Sequence, residues 1–215
     1  MNLTSFFDSI ITGINQYTPV PVFHPFRMTK KEKALFDLTI SKSKVHLEFG
    51  MGGSTFRALQ KSDAQIYSID SSEPWIAMMK KYLFIKNHEG KRLFVTQVDI
   101  GPTHEWGRPV GSNHRDLYPA YSSEIFESID CASIDTVLVD GRFRVACALK
   151  SLMECGSNEG FKVLFHDFHR EHYHIVLEFF NSEVQVDDLI LLSPKPEYDT
   201  VKLQAIYDEY KYNDD

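Results

Sequence analysis

Val45-His46-Leu47-Glu48-Phe49-Gly50-Met51-Gly52-Gly53-Ser54-Thr55 decides the fold. Five residues of strand character run into a glycine turn, and a helix follows. Glycines tolerate the backbone angles of such a turn and let a ligand come close, while the first N–H groups of the helix face outward with partial positive charge. A dinucleotide fingerprint would ask for Gly-x-Gly-x-x-Gly, and Thr55 stands where its third glycine belongs. Glu48, two residues before Gly50, suits a pyrophosphate poorly but suits a cofactor with a cationic amino-acid tail, such as S-adenosylmethionine. The plainer alternative is a tight turn with Ser54 as a helix cap.

Outward from this stretch, short apolar strands alternate with helical segments, which predicts a doubly wound α/β sheet. Strands are expected at 45–49, 65–69, 92–98, 136–139 and 162–165, and helices at 54–61, 74–87, 145–154 and 171–181. Leu189–Leu192 and Val201–Tyr207, separated by Ser193-Pro194-Lys195-Pro196, suggest a closing antiparallel hairpin. Ahead of the core, residues 1–42 form an expected helical lid or brace: a peripheral helix over 3–14, a proline-rich stretch over 18–25, and a helix over 29–41 capped by Thr29. Residues 43–215 form the expected core. The stretch from Gly101 to about Ser123 is too long and aperiodic for an ordinary connection, and its aromatic content argues for function.

Two further acids end strands in register. Asp70, 22 positions after Glu48, is placed to accept ribose hydroxyls, and Asp99 with Ile100 lies at the expected adenine edge. Leu47-Glu48-Phe49-Gly50-Met51-Gly52, then Asp70, then Asp99, then Val137-Leu138-Val139-Asp140-Gly141 resembles the class I S-adenosylmethionine-dependent methyltransferases over about residues 44–207. The resemblance implies a seven-stranded, mostly parallel, Rossmann-like sheet whose last strand is antiparallel. It implies S-adenosylmethionine as cofactor, with Glu48, Gly50, Gly52 and Asp99 joining Asp70 in binding it; Ser54 and Ile100 complete the expected set.

Asp140 and Asp167 end the fourth and fifth strands, so their carboxylates share one rim. This pairing is similar to the catechol-type and sugar-modifying O-methyltransferases, where such acids hold a divalent ion, Mg2+ or Mn2+. Phe168 stands where the catechol-type enzymes carry a metal-binding asparagine, so a metal-free Asp/His base is an equal reading, with His166 or His169 as the base. Arg142 and Arg144 are candidates for orienting substrate, although most arginines only pair with surface acids. Trp106, in the long loop, is a candidate for stacking on a sugar or aromatic ring; its alternative is an Ω-loop packed on its own tryptophan.

The leading expectation is methyl transfer to oxygen of a small polar acceptor, a saccharide hydroxyl first. The alternatives are a nicotinamide-linked Rossmann oxidoreductase and a nucleoside-binding module without catalysis. Bulk properties narrow the partners. With 215 residues, a net charge of −7 and scattered Lys and Arg, the chain is a poor partner for nucleic acid, and a small-molecule or glycan substrate is expected. Its longest apolar runs are strand-sized and no cationic leader precedes the first apolar residues, so no membrane role is expected and the expected address is the cytoplasm. Cys131, Cys147 and Cys155 lack metal-ligand spacing and are expected to be reduced.

Overall fold

A computed structural model of the chain describes residues 13–21 and 26–214. Residues 13–17 are helical, and the rest of the first expected helix lies outside the described residues. The core elements are α1 (Lys30–Ile40), β1 (Val45–Phe49), α2 (Gly53–Lys61), β2 (Gln65–Asp70), α3 (Glu73–Met79), α4 (Leu83–His88), β3 (Leu93–Gln97), α5 (Tyr118–Ser123), β4 (Thr136–Val139), α6 (Arg144–Cys155), β5 (Lys162–Phe165), β6 (Phe180–Val186), β7 (Leu189–Pro194) and α7 (Thr200–Tyr210). The seven strands lie in the order β3-β2-β1-β4-β5-β7-β6. Pairings among β1 to β5 are parallel, and β7 runs antiparallel to both neighbours.

Side chains alternate across the central strands. Leu47, Phe49, Val137, Val139, Val163 and Phe165 join the cluster that holds the buried residues of α5, α6 and α7. Ile66, Leu138 and Leu164 face the other way, with Phe36 and Ile40 of α1, Phe56 and Leu59 of α2 and Ile85 of α4. His46 and Glu48, both fully buried, alternate with Leu47 and Phe49: the His46 ring lies 6.3 Å from that of Phe36 in α1, and the Glu48 carboxylate meets α2. Thr29 caps α1 in a reciprocal box with Glu32: its hydroxyl accepts from the Glu32 N–H at 3.2 Å, and its own N–H donates to the Glu32 carboxylate at 2.6 Å. Glu32 also accepts from the Asp188 N–H at 2.8 Å, which ties this helix to the β6–β7 turn.

Three expectations are corrected. The helix over 74–87 is two helices, because the chain opens at Tyr82 (φ −69°, ψ 126°), which lets Tyr82 and Phe84 pack on Phe56 at ring distances of 5.2 and 5.7 Å. The helix over 171–181 is a 3-10 segment, Glu171–Glu178, whose buried Tyr173 and Val176 repeat every three residues, and β6 follows it. The closing hairpin is therefore β6–β7, while Val201–Tyr207 belongs to α7, where the Asp199 side chain accepts from the N–H groups of Val201 and Lys202.

Candidate functional site

The order of the strands reverses between β1 and β4, and in open α/β sheets the crevice at such a point is where ligands bind. The glycine turn stands there. Gly50 has φ +104°, and a Cβ on it would lie 3.0 Å from the backbone N and Cα of Gly141, so this position needs glycine on two counts. Gly52 faces open space, with nothing within 4 Å of a hypothetical Cβ, and this gap is where a ligand can approach the backbone. The Gly52 N–H is already turned to the Thr55 hydroxyl at 2.9 Å.

Glu48 does not look into that gap. It is fully buried beneath the turn, and its carboxylate accepts from the hydroxyls of Ser54 at 2.8 Å, Ser68 at 2.7 Å and Thr55. Burial raises its pKa to about 7 against the pull of the three hydroxyls. Glu48 was expected to reach a ligand ammonium directly or through water; here its carboxylate is turned to three hydroxyls and fastens the start of α2 and the middle of β2 to β1. Ser54 is spent on the same bond. Asp70 stays partly exposed at the tip of β2. One oxygen accepts from the Met51 N–H at 3.2 Å and the other from the Ser72 N–H at 2.9 Å, and each keeps a lone pair for a further donor. Burial raises its pKa to about 6. Asp99 is exposed and accepts from the Gly101 N–H at 2.8 Å, while Ile100 is buried in the core on the α5–α6 side.

At the tips of β4 and β5 the charges are tightly paired. The His166 Nδ1 lies 2.9 Å from Asp140 and 3.6 Å from Asp167, and its Nε2 lies 3.9 Å from Glu32. Burial alone would lower the His166 pKa, but the bond to Asp140 and the charges of Asp140 and Asp167 outweigh it and raise it. Asp140 is held below the usual carboxylate range: burial pushes it up, and the His166 bond and the Arg144 charge outweigh that. Its side chain is 28% exposed, against 12% for His166. His169 is exposed and pairs with Asp188 at 2.9 Å rather than with Asp140 or Asp167.

Arg144 corrects two expectations. It is 4% exposed, each of its guanidinium nitrogens has a partner, and so it is not available to orient a substrate. Its Nη2 lies 3.3 Å from Asp140 and 3.1 Å from Asp167. The pair expected to hold Mg2+ or Mn2+ is therefore already bridged by a cation, and this donor set does not fit a divalent ion. Among the described residues no group of three His, Cys, Asp or Glu side chains is arranged to hold a metal. Arg142 is half-buried; its Nη1 donates to the Asp214 backbone oxygen at 3.4 Å, and its Nε is buried without a partner.

The long loop folds back over this crevice. Thr103 and Pro109 form a bridge, and a Cβ on Gly107 would lie 3.2 Å from the Ser71 hydroxyl and 3.8 Å from the Arg142 Cγ. Trp106 itself is 67% exposed at φ +66°, with the Arg27 guanidinium 4.5 Å from its ring centroid. Sequence reasoning missed Glu32 and Trp75. The Trp75 indole N–H donates to the Met51 oxygen at 2.7 Å, which sets a large ring at the lip of the glycine turn. The capping-box spacing from Thr29 to Glu32 was a signal for the first, and the Ser72 cap for the second.

Strand order, the antiparallel β7 and a glycine turn at the point of reversal together define the class I methyltransferase fold. No protein-family model matches the sequence, and no curated protein matches it. Among solved structures the chain is similar to a methyltransferase-like protein from Silicibacter pomeroyi, at 27% identity over 88% of this chain and 98% of that one, with a TM-score of 0.77. It also shares its fold with an O-methyltransferase from Bacillus cereus solved in complex with SAH, at 14% identity over 87% and 90% of the two chains and a TM-score of 0.55.

Proposed function

We propose that this chain is an S-adenosylmethionine-dependent methyltransferase that methylates an oxygen of a small polar acceptor, a saccharide hydroxyl being the first choice. The observation that carries the reading is the pairing of an open glycine turn with the Asp70 carboxylate across the β1–β2 junction. Met51 in the turn and Ser72 beyond β2 fix that carboxylate so that its remaining lone pairs suit the two hydroxyls of a ribose. The SAH complex of the Bacillus cereus protein supports the choice of nucleoside. When bound, S-adenosylmethionine supplies an electrophilic methyl carbon on a sulfonium.

Attack by an acceptor hydroxyl forms the C–O bond as the C–S bond breaks, and the hydroxyl proton must leave. Asp140 is the carboxylate placed to take it, being the more exposed member of the pair with His166. His166 acts from behind. Both its nitrogens face carboxylates, so it orients Asp140 and balances its charge rather than meeting the acceptor itself. Trp106 and Arg142 line the loop side of the crevice and are assigned to the acceptor.

Calorimetric titration with S-adenosylhomocysteine and with NADH tests the first half of the reading. Binding of the former and not the latter is expected; the reverse returns the chain to the oxidoreductases. Transfer of labelled methyl to a panel of glycans tests the second half.

A further inference from the structure

Arg144 opens α6, and the residue before it, Phe143, is buried in the left-handed region at φ +52°, ψ +40°. That turn brings the guanidinium back across the tips of β4 and β5. Its Nε donates to the Gly141 oxygen at 3.0 Å and its Nη1 to the His166 oxygen at 2.7 Å, so the same group that pairs with both carboxylates also holds both strand ends by their backbone. Asp167, itself left-handed at φ +58°, receives a second guanidinium, from Arg170 at 3.0 Å, on the oxygen that Arg144 touches. The Tyr173 ring lies under both arginines, at 5.8 and 5.7 Å.

We propose that Arg144 is a resident cation that does, at the acceptor end of the crevice, the charge-balancing and aligning work for which a divalent ion would otherwise be needed. Arg144 is a positioning residue: it sets one positive charge between Asp140 and Asp167 and fixes the tip that carries His166. A divalent ion shared by the two carboxylates at ordinary ligand distances would sit against the guanidinium, and like-charge repulsion in a half-buried place opposes it. Planar, permanently charged and held at three nitrogens, arginine suits this position where lysine would offer a single point of attachment. The kinetic part of the proposal rests on the methyltransferase reading; the metal-binding part does not.

The test uses the whole chain and Mn2+ as probe, with the electron paramagnetic resonance signal of free Mn2+ as readout. Wild type is expected to leave Mn2+ free, and Arg144→Met, which uncovers two carboxylates and His166, to bind it. Stoichiometric binding by wild type that Asp140→Asn abolishes would overturn the proposal. Arg144→Lys covers the case in which the methionine variant does not fold: it keeps a charge, and is expected to leave Mn2+ free while losing about a hundredfold in kcat with the KM for cofactor unchanged. Lysine turnover equal to wild type overturns the aligning role. Once an acceptor is found, enzyme dialysed against chelator is expected to keep full turnover; activity that returns only with added Mn2+ would refute the proposal even though the methyltransferase reading stood. Failure to bind S-adenosylhomocysteine would sink that reading and leave the Mn2+ result to decide this one.

Discussion

Two fully buried ionisable groups on β1, His46 and Glu48, should pull stability in opposite directions as pH changes. Burial lowers His46 from 6.5 to about 3, with Nδ1 held 2.9 Å from the Thr136 hydroxyl and Nε2 without a partner. Its folded pKa is depressed, so the unfolded chain takes up the proton first, and stability present above pH 6.5 is lost as pH falls toward 3. Glu48 is raised from 4.5 to about 7, so its contribution is complete below pH 4.5 and is lost as pH rises through 7. At 1.36 kcal/mol per unit, each amounts to about 2 kcal/mol between pH 4.5 and 6.5, with opposite sign. The pair is expected to cancel in the wild type and to be unmasked one at a time. Urea unfolding at pH 4.5, 5.5 and 6.5 reads this out. Relative to wild type, His46→Leu should lose about 2 kcal/mol across the interval as pH rises, and Glu48→Gln should gain about as much. Other titrating groups are common to all three proteins and drop out of the differences. Thr136 keeps the Ser43 hydroxyl at 2.8 Å in the leucine variant, so no new orphan is created there. Stability curves of the two variants that run parallel to wild type would refute the reasoning.

Asp70→Asn should weaken S-adenosylhomocysteine binding by about 10- to 100-fold in calorimetry, the loss expected when a charged hydrogen-bond acceptor is neutralised. Gly141→Ala puts a Cβ 2.2 Å from the Tyr121 hydroxyl and 3.0 Å from the Phe49 backbone, and should cost about 1–3 kcal/mol in urea unfolding while disturbing cofactor binding. Trp106→Ala removes an exposed ring stacked by Arg27, so its stability should fall by less than about 1 kcal/mol while the KM for the acceptor rises about tenfold.

The central strands were readable because they are buried on both faces: Val137–Val139 is apolar throughout and is followed by the turn residues Asp140 and Gly141. β6 escaped because it is an exposed edge strand with a register shift between Ser182 and Val184, which breaks the alternation a strand would show. Val201, Leu203, Ile206 and Tyr207 form too short an apolar pattern to separate strand from helix, and Asp199 was the overlooked cap. In the site, the sequence placed Asp70, Asp140 and Asp167 at strand tips, where the structure has them. It could not show that Glu48 turns inward or that Arg144 lies between two acids, since those follow from how separate segments meet. The Glu32 link to the β6–β7 turn spans 156 residues and has the same origin.

Gly50 and Gly141 touch main chain to main chain, with no side chain between them. A hinge at that seam is therefore unavailable: the bend that would carry the donor carbon and the tip that would carry the proton acceptor are locked as one piece. On the proposed function, acceptor preference can then vary in the overlying loop, around Trp106 and Gly107, without disturbing the line along which the group must travel.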